Sequence, residues 1–532
     1  MAYPTAAQLA ADLLYSSNYW GGSALTFSFP GAGATWSTYD PGSEPFKEYQ
    51  GLSASQQATL RTEFAVWDKL IALSLTETSD PGQIRVAFSN IKTSASDQTW
   101  GYAFSPPNNG GSAGAKNGDV WIDTDHKDSS FTAGAYDYMA AMHEIGHALG
   151  LKHSFEGDNR LPAEYDNYRY SIMSYTYNED SRLVTITPKD GGIQSNKTGV
   201  YPTTPMLFDV VAIQARYGAD TTTATGDTTY SFDQSKPTFM TIYDAGGTDT
   251  IDLSTHTRAS IINLTPGTYS SIDQYTAAQQ AADATAQYQW AASFISAAYN
   301  DPTTFTWTDN VAIAFNTTIE NVRAGTGADR ITGNDAANNI SGGAGNDTIE
   351  GGAGRDYLRG DDGNDLITGG ADFDDINGNR GNDSAFGGDG DDWVVGGQDN
   401  DVLGGDAGND IVYGNLGNDT VGGGEGNDWV RGGQGDDLIS GGGGADFISG
   451  DRGSDTISGG GGADRFNLIT GAGLDRVTDF NSAEGDRVSI EGALPYNLSY
   501  VSGDAVIDIG NGDQMVLVGI SNATQLGTWM FV

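Results

Sequence analysis

The chain has 532 residues, carries 70 acidic against 26 basic side chains for a formal charge of −44, and contains no cysteine. That balance excludes partners whose phosphates demand Lys and Arg, nucleic acid and anionic membrane surfaces alike, while it suits bound cations. Without Cys there is no disulfide, no thiolate metal ligand and no thiol nucleophile.

The length allows two to four domains, and an apolar share of 38% with 10 Trp, 25 Tyr and 20 Phe can build real cores. No run of eighteen apolar residues occurs, so no transmembrane segment is expected. The first basic residue is Lys47, so the chain opens without the basic n-region of a Sec signal.

In chain order, Ser53 with Gln56 reads as a capping box. It predicts a helix to about Ala72, with Leu60, Phe64, Trp67 and Ile71 as one core-facing stripe. Residues 84–88 and 118–123 alternate as strands. Gly110, Ser112 and Gly114 match a nucleophile-elbow pattern, but no strand precedes them, so the segment reads as a loop. A helix is predicted from about Tyr136 to Leu149, rich in apolar residues and free of Pro.

That helix carries the strongest chemical signal. His143 and His147 are four apart and share one face, so two imidazoles can grip one zinc ion. Glu144 sits beside the first of them, placed to take a proton from a zinc-bound water. Gly150 ends the helix and lets the chain turn back to deliver His153 as a third ligand. Three protein ligands plus water make an open, catalytic site. The remaining histidines, His126 and His256, stand among polar residues and are expected to be solvated.

Residues 270–300 are rich in Ala and Gln and read as helical. From 324 to 467 the chain divides into sixteen nine-residue blocks without insertion. Each block begins with Gly, except at Ala324, and places a large apolar residue eighth, except at Ala385. Its sixth residue is Asp at Asp329, Asp347, Asp356, Asp365, Asp374, Asp383, Asp392, Asp401, Asp410, Asp419, Asp428, Asp437, Asp446, Asp455 and Asp464, with Asn338 the exception. Glycines supply the turns and the x-apolar-x triplet a short strand, so two blocks make one coil. Eight coils spaced by a strand separation give roughly 38 Å of parallel β-roll. The stretch holds 28 acidic against 7 basic residues, and stacked turns place Asp above Asp. Calcium, which accepts carboxylate and carbonyl oxygens, is the counter-ion this stack requires, with those fifteen Asp as ligands. Beyond the repeats, residues 475–480 and 486–490 alternate as strands that close the roll.

These residues carry a family resemblance. The blocks resemble the RTX calcium-binding β-roll, and His143-Glu144-x-x-His147-x-x-Gly150-x-x-His153 resembles the metzincin zinc signature. Ser171-Ile172-Met173-Ser174-Tyr175 is similar to the Met-turn in its serralysin form, and residues 206–217 and 243–252 fit the same family. Ser154 stands where serralysins usually have Pro after the third His.

The resemblance implies an α+β metzincin-like catalytic domain at 1–218, followed by an all-β C-terminal region. In that region a connecting segment spans 219–323 with its Ala-rich helical insert, the calcium roll spans 324–467, and capping strands with a secretion signal span 468–532. It implies one zinc on His143, His147 and His153, Glu144 as general base, Tyr175 as a movable further zinc ligand that donates to the oxyanion, and Met173 as the packed floor of the site. It further implies hydrolysis of protein or peptide substrates, export by type I secretion machinery, an extracellular location, several structural calcium ions and a monomer. The competing reading is a non-catalytic RTX surface or adhesive protein with a relic protease domain, and the intact Glu144 speaks against it.

Overall fold

The computed structural model describes residues 3–32, 34–36, 39, 48–94, 96–111, 116–178, 180–527 and, as backbone, 530–531. Ser112 and Gly114 of the elbow-like pattern lie outside the described residues. Two compact units emerge. One comprises Met1–Asp227, Asp233–Gly247 and Pro266–Thr318, the other Thr228–Phe232, Thr248–Thr265 and Ile319–Val532.

The first unit is α+β. Its helices include α1 (Ala6–Leu13), α2 (Ala54–Asp68), α3 (Tyr136–Leu149) and α4 (Leu207–Tyr217). They accompany a five-stranded sheet of β1 (Ala24–Ser28), β2 (Ser74–Glu77), β3 (Ile84–Ser89), β4 (Gly101–Ala103) and β5 (Val120–Asp123), in the order β2-β1-β3-β5-β4. All neighbours pair parallel except β4, an antiparallel edge strand against β5. The Ser53 capping box forms as the sequence predicts, with the Gln56 N–H donating to Ser53 Oγ and Gln56 Oε1 accepting from the Ser53 N–H. The stripe Leu60, Phe64, Trp67 is buried beneath α3, where Trp67 Nε1 donates to the Met142 carbonyl at 3.3 Å. Nearly all of α3 is buried, from Tyr138 to Leu149, so the zinc-signature helix is the spine of this core.

The Ala-rich insert is helical at Ala277–Gln287 and Ala292–Tyr299. Its second helix buries Ile295 and Tyr299 against Val184 of an antiparallel hairpin, Arg182–Lys189 with Gly192–Gly199. The sequence reading had no role for the insert and no hairpin here. Among the described residues, no helix is long and apolar enough to cross a membrane.

The second unit is a parallel β-solenoid. Two thirteen-stranded ladders run through it, parallel except for antiparallel pairing among Asn497–Val501, Asp504–Gly510 and Asp513–Leu517, and within the repeats successive partners are eighteen residues apart, as Ile349 pairs with Ile367 and Leu358 with Ile376. Two nine-residue blocks per coil is therefore the observed geometry. The eighth residue of every block is buried, Ala385 included. The ladders extend past the repeats in both directions, down to Thr229–Ser231 and up to Arg487–Ile490 and Met530–Phe531. The turns are not made by Gly alone. Asp372 and Asp399 adopt φ of 74° and 75°, a left-handed conformation that Asp and Asn tolerate better than other side chains.

His256 corrects an expectation. It is buried, with Nε2 3.0 Å from the Phe232 carbonyl, because the solenoid extends under it. His126 is likewise not merely solvated: its Nδ1 lies 3.1 Å from Asp137 Oδ1, in the first turn of α3.

Candidate active site

Gly150 stops α3 at φ 111°, and a Cβ there would lie 3.0 Å from the Asn18 carbonyl, so only Gly fits both the conformation and the space. Past this cap the chain turns back and brings His153 to His143 and His147. Candidate ligand atoms of the three lie within 4.8 Å of one another.

The three rings are oriented alike. Nδ1 of His143 lies 2.7 Å from the Ile172 carbonyl, Nδ1 of His147 2.8 Å from the Leu151 carbonyl, and Nδ1 of His153 2.9 Å from Glu156 Oε1. An acceptor at each Nδ1 keeps the proton there and leaves the Nε2 lone pair free, the tautomer a metal requires. Nε2 of His147 and His153 are 3.1 Å apart, and Nε2 of His143 is buried without a hydrogen-bond partner. Burial lowers the pKa of His143 to about 4 and that of His147 well below the usual imidazole range, so both rings are neutral at physiological pH. An unpartnered buried nitrogen beside two convergent ones fits a single tetrahedral zinc ion.

Glu144 follows His143 on α3, and its buried Oε2 has no partner. Burial alone pushes its pKa up to about 8, a carboxyl poised for proton transfer near neutrality. The edge strand β4 runs alongside: a Cβ at Gly101 would sit 3.4 Å from Glu144 Cγ. A bare sheet edge is a template for an extended peptide. Next to it lies a cleft of about 390 Å³, lined by Trp100, Gly101, Tyr136, His143, Glu144, Tyr168, Tyr175 and Tyr177 among others.

The Tyr175 hydroxyl is 2.7 Å from His153 Nε2, and the side chain is largely exposed. Burial of the hydroxyl's surroundings, followed by the Glu144 carboxylate, raises its pKa. Met173 is buried against α3, where a Cβ at Gly146 would lie 3.1 Å from Met173 Sδ. The structure thus brings His143, Glu144, His147, His153, Met173 and Tyr175 into one place.

Two supporting residues escaped the sequence reading. Asp209, on α4, is fully buried and accepts from Ser171 Oγ at 2.6 Å, the Ile172 N–H at 2.8 Å and the Met206 N–H at 2.9 Å. It clamps the turn whose Ile172 carbonyl orients His143. An acid three residues into a helix was its only local signal. Glu156, the Nδ1 partner of His153, was masked by lying in a polar loop.

The calcium-binding candidates form two columns. From Asp329 to Asp446, each Asp donates its backbone N–H to Oδ1 of the Asp eighteen residues on, as in Asp347 to Asp365 and Asp356 to Asp374, at 2.8 and 2.9 Å. Oδ2 of fourteen of them, Asp347 through Asp464, is buried and unpartnered. Beside each Oδ2 is a cradle that a side chain would fill: a Cβ at Gly342 would lie 2.4 Å from Asp347 Oδ2 and 2.9 Å from the Gly360 carbonyl. Buried carboxylate and carbonyl oxygens facing one gap fit calcium. Asp329 differs, its oxygens accepting from the Ser260 and Gly325 N–H groups. The columns continue where the sequence period had stopped. Asp475 accepts the Asp455 N–H and Asp486 that of Asp464, while Glu320 Oε2 accepts from Asp249.

Residues 46–192 match the matrixin family, 209–284 the peptidase M10 serralysin C-terminal family, and overlapping stretches within 316–471 the RTX calcium-binding nonapeptide repeat. A serralysin of Photorhabdus laumondii is 29% identical over 309 residues, 54% of this chain and 55% of that protein. Metallopeptidase AprA of Pseudomonas marginalis is 28% identical over 339 residues, 59% of this chain and 60% of that protein. Serralysin C of Dickeya chrysanthemi is 38% identical over 157 residues, 26% of this chain and 30% of that protein. The aligned stretch spans between about a third and three fifths of the length of these relatives. A matrixin domain, a serralysin C-terminal segment and RTX repeats, in that order along one chain, match a serralysin-type metzincin with RTX repeats.

Proposed function

We propose that the chain is a secreted, calcium-stabilised zinc endopeptidase that cleaves peptide bonds in proteins. The observation that carries this reading is the convergence of three Nδ1-anchored histidines beside an unpartnered, buried Glu144.

His143, His147 and His153 would hold a zinc ion, which when bound would supply an acidified water and a polarised substrate carbonyl. Glu144 takes a proton at its buried carboxyl and returns it to the leaving amine. The β4 edge aligns the substrate as an added strand, and the tyrosine-lined cleft receives a side chain next to the scissile bond. Tyr175, exposed and hinged beside His153, swings to donate its hydroxyl to the developing oxyanion. Met173 and Asp209 hold the floor and the His143 orientation. In the solenoid the fourteen Asp from Asp347 to Asp464 hold calcium between coils. Low calcium inside the cell keeps the acidic repeats unfolded for a type I exporter, and calcium outside folds them. The protein works as a monomer.

The test is digestion of an unbiased peptide library by the calcium-loaded chain. Cleavage that stops with a zinc chelator and returns with added zinc is the expected result. Cleavage indifferent to the chelator, or none with zinc bound, rejects the reading.

A further inference from the structure

The solenoid's repeats are strongly acidic, yet one face departs from that character. On one of the two ladders, which takes one strand from every coil, the residue after each Asp points outward. There Trp393 pairs with Ile411, Ile411 with Trp429, and Trp429 with Phe447 on adjacent strands. Trp393, Ile411 and Trp429 are 43%, 37% and 46% exposed. Outward large apolar side chains stacked on consecutive coils serve no core and are uncommon on a protein this charged. The rings of Trp429 and Phe447 are 4.9 Å apart and tilted by 56°, a trough rather than a flat plate.

Two residues along the same strands, and so on the same face, lies a polar companion to this stripe. Tyr413, Asn415, Arg431, Gln434 and Asp451 line a cleft of about 350 Å³ beside Trp429. Ion pairs form within the face, Arg431 with Asp451 at 2.8 Å and Arg359 with Asp375 at 2.8 Å. With Arg452 also lining that cleft, it holds two cations against one carboxylate, inside a stretch of 28 acidic and 7 basic residues. An anionic ligand would meet that surrounding charge and a cationic one would prefer the Asp-rich turns, so the complement is uncharged.

We propose that this face binds a neutral, extended β-1,4-linked polysaccharide. Sugar rings offer an apolar face to aromatic side chains and hydroxyls to the flanking amides, guanidinium and carboxylate. Trp393 and Trp429 are two coils apart, a rise of about 10 Å, close to the two-sugar repeat of such a chain. Bound this way, the glycan runs along the solenoid axis with every second ring on a tryptophan and its edge in the Tyr413–Asp451 cleft. The site is independent of the proposed peptidase chemistry.

The test titrates the calcium-loaded full chain with cellohexaose and with chitohexaose, read by calorimetry and tryptophan fluorescence. Saturable binding to one of them is expected, weakened at least about tenfold in the Trp393→Ala/Trp429→Ala double variant with unchanged circular dichroism and caseinolysis. Trp290→Ala, at an exposed tryptophan of the other unit, leaves binding intact. No saturable binding to either sugar, or equal binding by the double variant, overturns the proposal. So does the outcome in which the double substitution abolishes only self-association or adsorption to neutral phosphatidylcholine vesicles.

Discussion

Glu144 owes its raised pKa to burial and not to a neighbouring charge. Replacing it with Gln keeps the shape and removes the base, so Glu144→Gln lowers kcat on casein by about 10²- to 10⁴-fold while zinc content is unchanged. Asp209 makes a structural counterpart. Its carboxyl satisfies three donors, and Asp209→Ala leaves all three buried and unanswered. A loss of about 3 kcal/mol or more is expected in denaturant unfolding of the first unit, with Asp209→Asn milder because one acceptor oxygen survives. Equal stability of Asp209→Ala and the parent would remove this residue from the account. The convergence of His143, His147 and His153 beside Glu144 was legible in the sequence because their spacing is dictated by one helix and one cap. Asp209 and Glu156 were not, because their partners are backbone groups that only the folded chain brings near.

Among the elements, α2 and α3 were readable because caps and stripes are local signals. The hairpin 182–199 was hidden, since its Lys-, Asn- and Thr-rich strands take their support from the packing of Ile295 and Tyr299. The solenoid was legible wherever the period of nine held, and past it the strands at 474–477 and 487–490 were legible from their alternation; its extension down to Thr229–Ser231 was not, because insertions break the period between coils. In α2, Glu63 is fully buried and neither carboxylate oxygen has a partner, and burial drives its pKa well upward. Glu63→Met, which removes the stranded group at similar volume, raises stability by about 1–3 kcal/mol. A thermal midpoint lowered by that substitution would show that the carboxyl has a structural role. The roll makes a pH prediction. Burial raises its Asp carboxyls from 3.8 to about 7 at Asp347, Asp374 and Asp437 and to about 8 at Asp401. Between those values the fold binds more protons than the unfolded chain, so its stability falls as pH rises through that window. In chelator, the repeats show more β signal at pH 5, where those carboxyls are protonated, than at pH 7. Saturating calcium, which competes with protons for the same oxygens, reverses that order. A chelated chain with more β signal at pH 7 than at pH 5 contradicts the assignment.

For the whole molecule, cations decide between a folded and an unfolded second unit. An unsatisfied buried acceptor costs about 1–3 kcal/mol. Across fourteen Oδ2 atoms even the low end equals the ~5–15 kcal/mol that holds a typical domain together. At neutral pH and above, chelation of calcium is therefore expected to abolish the β signal of residues 324–467 in circular dichroism, and an unchanged spectrum would refute the charge argument. The first unit depends on a different ion at one point, where three imidazoles meet beside a carboxyl. That convergence is tested most directly by elemental analysis of the folded, calcium-loaded chain and of its His143→Ala/His147→Ala variant, alongside casein cleavage. The account predicts one zinc per parent chain, none in the variant, and cleavage only by the parent. A parent free of zinc that still cleaves, or a variant that keeps both metal and activity, would contradict it.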